Sequence, residues 1–246
     1  MKKYLIKTID DAIDNDLRDQ VWNYILNQKY HATRKNLGYP NVGKVIHYIP
    51  AENKKEYLTQ EYPCYNNQYM HRTVFGDNEI ELQNNHPIIF QLWNKINEVL
   101  GNQFIIAGDK EGIADNGNGK PILSRVYVNA QPDEEIKRSH GVHRDTIDLN
   151  EEKNFTLLYI ANPEWYPTWM AENVFYSDDE TGDIQQWQKG FGQSRKFNVG
   201  WPSEIVSPKA GRIILYDGRT LHTTKPTSSW AEQMRYAVVF RIRKKD

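Results

Sequence analysis

Cysteine is nearly absent from this sequence: of 246 residues, only Cys64 carries a thiol. A lone cysteine excludes an intrachain disulfide and any cysteine cluster for zinc, and Cys64 reads as a packed thiol. An excess of one charge is also missing. Thirty-one Lys and Arg against 32 Asp and Glu leave a formal net charge of −1. Proteins that grip a phosphate backbone usually show a basic excess, so nucleic acid is not an expected partner. No run of about 18 apolar residues occurs, and no membrane span is expected. The opening segment MKKYLIKTIDDAIDND has two lysines, but its short apolar stretch runs into acids, unlike a signal peptide. A cytoplasmic protein fits these absences. Internal repeats and low-complexity blocks are lacking too.

Material for a core is present. Hydrophobic residues make up 39% of the chain and aromatic residues 12%, which argues against global disorder. The length suits one large domain or two small ones, and no boundary stands out. The expectation is a single domain over residues 1–246, with a helical and loop-rich buttress over 1–120 and a β core over 121–246.

Two helical patterns lie in the first half. Over 9–28, Ile13, Leu17, Val21, Trp22, Ile25 and Leu26 recur at three- and four-residue steps, forming one apolar stripe. Asp10 and Asp11 sit where a helix start favours negative charge. Over 86–100, Pro87 suits the first helical position and Gly101 the stop. Ile89, Leu92, Trp93, Ile96, Val99 and Leu100 form the buried face. Between them, residues 29–85 are rich in Tyr, Asn, Pro and Gly and read as loops with a few short strands, in a length often used for lids.

From about residue 121 the pattern turns to β. ILSRVYVNA, NFTLLYIAN, AENVFYS, EIVSP, GRIILYDG and RYAVVFRIR are short runs of branched and aromatic residues set apart by turn residues. The polar stretch 178–200 reads as a long insertion between strands. Two helices followed by a series of strands predict a mainly β fold, a sandwich or barrel with helices packed outside it.

The chemistry lies in the β half. In SHGVHRDTID, His143 and Asp145 are separated by one residue, and positions i and i+2 of an extended chain point the same way. One imidazole and one carboxylate can therefore reach the same metal ion. A second histidine would complete a facial triad of two histidines and one carboxylate, the arrangement of non-haem iron(II) oxygenases. A His-x-Asp pair by itself is a weak signal. His222 supplies context: it follows the apolar strand 212–216 and the turn at Asp217-Gly218. Arg235 then opens RYAVVFRIR thirteen residues later. Arg235, Ala237, Val239 and Arg241 share one face of that strand, and Arg235 is an odd charge to point inward unless it has a partner.

This order of motifs resembles the 2-oxoglutarate/iron(II) dioxygenases, in particular their prolyl-4-hydroxylase-like branch, over roughly residues 121–243. The resemblance implies a double-stranded β-helix, or jelly roll, with the N-terminal helices packed on the outer face of the major sheet. It implies that His143, Asp145 and His222 bind Fe(II), and that Arg235 holds the distal carboxylate of 2-oxoglutarate. A guanidinium suits that task because it can grip a carboxylate with two parallel hydrogen bonds. Tyr127 stands where relatives place a tyrosine whose hydroxyl touches the co-substrate, though QPDEEIKRSHG sets it unusually far from His143. Thr224 would line the same pocket, and Arg241 ranks behind Arg235. O2 is the implied second co-substrate, with ascorbate as a candidate reductant. The implied reaction hydroxylates an unactivated C–H bond and releases succinate and CO2. Because Asp145 is present, the halogenase variant of the site, which lacks the carboxylate, is disfavoured.

The expected substrate is a small molecule such as an amino acid or a biosynthetic intermediate. The alternative is a peptidyl proline in a protein. A nucleic-acid demethylase and a non-enzymatic jelly-roll binding protein rank lower. Relatives often read W-G-G-E after a Trp-rich loop, whereas this chain has Trp169-Met170-Ala171-Glu172, which predicts a changed pocket mouth. Trp165, Tyr166 and Trp169 read either as a loop folded on itself or as a substrate lid. Arg144 and Arg219, beside the ligands in sequence, are candidates for an anionic substrate but more often solvated surface residues. His140, His31, His47, His71 and His86 read as non-ligands, Asp148 as wrongly spaced, and Asp217 as a turn residue.

Overall fold

Alternating burial organises the strands. In β13 (Arg235–Lys244), Tyr236, Val238, Phe240 and Ile242 face one core while Val239 faces another. The computed structural model describes residues 4–34, 45–47, 69–76, 78–106, 126–131, 142–146, 152–178, 184–190 and 193–245. Cys64, His140, Asp148 and most of 29–85 lie outside these residues.

Two antiparallel sheets face each other. Strands β1 (Ile6–Ile9), β2 (Lys29–Arg34), β3 (Val45–His47), β4 (Tyr69–Gly76), β5 (Phe104–Ile105), β6 (Val126–Gln131), β7 (Asn154–Ile160) and β11 (Ile213–Asp217) join β13 in the larger one. Its order is β1-β11-β7-β13-β6-β4-β2-β3, with β5 also on β13. The smaller sheet runs β12-β8-β10-β9, from β8 (Asn173–Asp178), β9 (Ile184–Gly190), β10 (Gln193–Val206) and β12 (Leu221–Thr224). This is a jelly roll flanked by helices. Tyr127, Leu158, Phe175, Val206, Ile214, Tyr216 and Val239 fill the space between the sheets.

The helices cover the outer face of the larger sheet. Helix α1 (Asn15–Leu26) buries Val21 and Ile25, and Trp22 meets Tyr236 of β13 edge-on at 5.3 Å. Helix α3 (Pro87–Val99) buries Ile89, Leu92, Trp93 and Ile96, with Trp93 against Phe240 at 5.5 Å. Each such fully buried side chain contributes roughly 1.5–3 kcal/mol relative to exposure, so the apolar stripes dock the helices. As expected, Pro87 begins α3, and Gly101, at φ +77°, ends it in a conformation that glycine adopts without strain.

Four features differ from the sequence reading. Helix α1 starts later than residue 9: Asp14 is its cap, accepting from Leu17 N at 2.9 Å. Asp10 instead pairs with Arg212 at 2.7 Å and Asp11 with Lys209 at 3.1 Å, tying the start of the chain to the turn before β11. Inside the stretch read as loops with a few short strands, Glu79–Asn85 forms α2, capped by Asn78. With Leu82 as its buried residue, it has no periodic stripe to betray it. Residues from the first half also supply β1–β5 to the larger sheet, so that sheet draws on both halves of the chain. Finally, 178–200 is mostly the β9–β10 hairpin, held by a seven-residue ladder from Gln193↔Gly190 to Val199↔Ile184 rather than by an apolar pattern. Among the described residues, no helix is long and apolar enough to cross a membrane.

Candidate metal centre

Backbone pairing brings the three expected ligands together. His143 and His222 form an antiparallel bridge, with His143 N donating to His222 O at 3.0 Å and His222 N to His143 O at 2.9 Å. The amides of Asp145 and Thr146 both donate to Gly218 O, at 2.9 and 2.8 Å. Gly218 has no room for a side chain. A Cβ there would overlap Thr146 Oγ1 and lie 3.2 Å from Asn154 O. The 142–146 segment is thus pinned at both ends to the β11–β12 connection.

One donor atom from each of His143, Asp145 and His222 lies within 4.8 Å of the others. The two oxygens of Asp145 face the two imidazoles, each at 3.6 Å: Oδ1 to His143 Nε2 and Oδ2 to His222 Nε2. His222 Nδ1 is 3.0 Å from Thr220 O. A carbonyl can only accept, so Nδ1 carries the proton and Nε2 presents its lone pair to the shared space. The side chains of Asp145 and His222 are buried, whereas that of His143 is 27% exposed. The centre therefore opens toward solvent on the His143 side. Two imidazole nitrogens and a carboxylate around one point suit a divalent transition metal.

Asp145 is heavily supported. Arg241 Nη2 donates to Oδ1 at 2.6 Å, and Nη1 forms an ion pair with Oδ2. Thr156 Oγ1 and Tyr216 Oη donate to Oδ2 at 2.7 and 2.9 Å. Burial on its own would raise the Asp145 carboxyl. The Arg241 guanidinium outweighs it and holds the group well below the usual carboxylate range. Tyr216 is driven the other way, well above a normal phenol, by burial and by Asp145. Arg241, Thr156 and Tyr216 are the site residues that sequence reasoning missed or ranked low. The shared face of Arg235 and Arg241 was visible in the strand pattern, but their partners were not.

The remaining expected residues divide between two places. Tyr127 lies beside the centre, its hydroxyl accepting from Arg241 Nη2 at 3.3 Å. Arg235 and Thr224 converge on Asn173 of β8. Arg235 Nη2 and Thr224 Oγ1 both donate to Asn173 Oδ1, at 3.3 and 3.0 Å. Arg235 is 4% exposed, and burial pushes its guanidinium down to about 10. Its Nε is buried without a hydrogen-bond partner. A buried cationic donor with spare capacity, facing the same interior as the triad, fits a carboxylate ligand.

Arg144 and Arg219 are neither solvated nor free for a substrate. Both are buried. Arg219 is held by Asp217 Oδ2 at 2.6 Å and Oδ1 at 2.9 Å and lies over the Tyr4 ring, while Arg144 donates to Arg219 O. Asp217 is a turn residue, accepting from Arg219 N at 2.9 Å. His86 is structural: its Nδ1 lies 2.6 Å from Tyr24 Oη. His31, His47 and His71 fall on β2, β3 and β4.

The Trp-rich loop folds on itself. Trp165, Trp169, Ala171 and Ala231 form a small core, and Tyr166 stacks edge-on to Trp169 at 4.9 Å. The missing glycine pair has a specific consequence. Met170 (φ 59°) and Ala171 (φ 67°) adopt the positive φ that glycine would take. The backbone at this point keeps a glycine-like path, and the change lies in the added side chains and their strain.

No family model and no curated protein matches the sequence. Solved structures do match. The non-haem alpha-ketoglutarate-dependent carbocyclase SnoK from nogalamycin biosynthesis superposes with a TM-score of 0.50 at 10% identity, over 98% of this chain and 80% of SnoK. This chain has the same fold. A prolyl hydroxylase from Trichoplax adhaerens, solved with a hypoxia inducible factor peptide, matches at a TM-score of 0.49 and 13% identity over 97% and 83% of the two chains. The viral collagen prolyl hydroxylase of Paramecium bursaria Chlorella virus-1, solved with 2-oxoglutarate, matches at 0.46 and 15% identity over 98% and 96%.

Proposed function

We propose that this chain is an iron(II)- and 2-oxoglutarate-dependent oxygenase that hydroxylates an unactivated C–H bond of a small molecule such as an amino acid or a biosynthetic intermediate. One observation carries the reading. The His143, Asp145 and His222 donors converge within 4.8 Å, and Arg235, a buried cation with an unpartnered Nε, shares their interior. Triad and cation fit the two ends of a chelating keto acid.

Iron(II) with 2-oxoglutarate and O2 would supply the oxidation of the C–H bond, with succinate and CO2 as co-products. The chain's own part is positioning and electrostatics. Arg241, Thr156 and Tyr216 fix the Asp145 carboxylate. Thr220 O fixes the His222 tautomer. Arg235 binds the distal carboxylate of the co-substrate. Tyr127 braces Arg241 beside the metal, a role one step removed from the co-substrate contact that the family resemblance implies.

The exposed rings of Tyr166 and Trp230 favour a second reading. They lie on two loops joined by Trp169, Ala231 and the bond from Ser228 N to Trp169 O at 3.0 Å. Aromatic surfaces of this kind suit proline-rich peptides, and the alternative is a peptidyl prolyl hydroxylase.

The test begins with anaerobic addition of iron(II) and 2-oxoglutarate. Wild type should develop a weak visible charge-transfer band that His222→Ala lacks. An equal band in both proteins sinks the site assignment. Succinate release, screened across free amino acids and proline-containing peptides, then separates the two substrate readings.

A further inference from the structure

The hydrogen bonds around Asn173 leave one group over. A guanidinium has no acceptor, so Arg235 can meet the Asn173 amide only at its oxygen. The Thr224 hydroxyl donates to that same oxygen. The orientation of the amide is therefore forced, and its nitrogen points elsewhere. Asn173 is 1% exposed, yet Nδ2 is buried with no hydrogen-bond partner. Arg235 Nε is in the same condition.

Two unpartnered donors, one of them cationic, thus face the interior from opposite sheets. Among the described residues, no carboxylate lies within ion-pair distance of Arg235. Gln131, the cross-strand neighbour of Arg235, has a buried Oε1 without a partner and donates Nε2 to Lys225 O at 2.9 Å. Since Oε1 has no partner, it meets neither Arg235 Nε nor Asn173 Nδ2, whereas a carboxylate, with two oxygens, can accept from both.

We propose that Asn173 is a second ligand of the co-substrate, donating from Nδ2 to the same distal carboxylate that Arg235 binds. Thr224 is then a positioning residue that fixes the orientation of the amide. The proposal rests on the oxygenase reading above and adds a specificity determinant to it: the Arg235–Asn173 pair selects keto acids with a second carboxylate.

The experiment titrates the charge-transfer band of anaerobic iron(II)-loaded protein with 2-oxoglutarate and, separately, with pyruvate, which keeps the chelating end and lacks the distal carboxylate. Asn173→Ala should raise the half-saturating 2-oxoglutarate concentration about tenfold or more, as for a lost hydrogen bond to a charged group, and leave the pyruvate titration unchanged. Asn173→Asp should lose more, because a carboxylate there repels the ligand. Thr224→Val should lose less, since Arg235 still holds the amide oxygen. Asn173→Ser serves if the alanine variant does not fold. The proposal is overturned if Asn173→Ala binds 2-oxoglutarate as wild type does while Arg235→Ala does not, an outcome that leaves the oxygenase reading intact. Equal losses for both keto acids also overturn it, by making Asn173 merely structural. A wild-type protein that shows no band with either keto acid fails at the oxygenase reading itself.

Discussion

Arg241 grips Asp145 from inside the jelly roll, its Nη2 2.6 Å from Oδ1, at the carboxylate that would also bind the metal. With an Asp145 side chain only 4% exposed, the pair trades hydration for mutual attraction, and losing one partner leaves a buried charge uncompensated.

Arg241→Met should therefore destabilise metal-free protein by roughly 3 kcal/mol. A divalent ion would replace part of the missing positive charge and stabilise the folded state by mass action. Urea unfolding with chelator and with saturating metal measures both. Equal losses in the two conditions would show that metal and Arg241 do not share Asp145.

Acid should reveal the same carboxylate. Its folded-state value is depressed, so its contribution is complete above the unfolded value of about 3.9 and is lost as pH falls through the folded value. Asp145→Asn should be less stable than chelated wild type at pH 7, and the gap should narrow below about pH 4. A gap that is constant with pH would contradict the pairing.

Gly218→Ala should loosen the centre without touching a ligand. The new methyl collides with Thr146 and approaches Asn154 O, displacing the segment that carries His143 and Asp145. Metal affinity should fall about tenfold or more, within the range for changes to residues that orient metal ligands. Far-UV circular dichroism should be unchanged. Calorimetric metal titration against wild type decides it.

Met170 and Ala171 should respond differently to glycine. Met170 is strained at φ 59° and ψ −136° and 40% exposed, so Met170→Gly should stabilise by about 1 kcal/mol. Ala171 is fully buried. Ala171→Gly removes a packed methyl, which offsets the relief of strain and leaves a net change near zero. Thermal melting of the two variants tests the contrast.

Particular elements show what could be read beforehand. The stripes of α1 and α3 were legible because burial on one helical face repeats every three to four residues. The inward run Arg235, Ala237, Val239 and Arg241 was legible because strands alternate. Helix α2 and the β9–β10 hairpin were not, because a cap and a backbone ladder, not a hydrophobic period, define them. Arg144 and Arg219 were misread because Arg219 is held by Asp217, Glu152 and Tyr4 and Arg144 by Arg219 O, neighbours that no local pattern records.

Sequence by itself determined the His-x-Asp pair and the facing direction of Arg235, which follow from the two-residue repeat of extended chain, and the later His222, which follows from its place after an apolar strand and a turn. Tertiary structure alone decided which charge each residue meets. Strand order set Arg241 against Asp145 and brought Asn173 across the sandwich to Arg235. These pairs join residues 96 and 62 positions apart, and they are fixed by the packing of two sheets rather than by anything local to either residue.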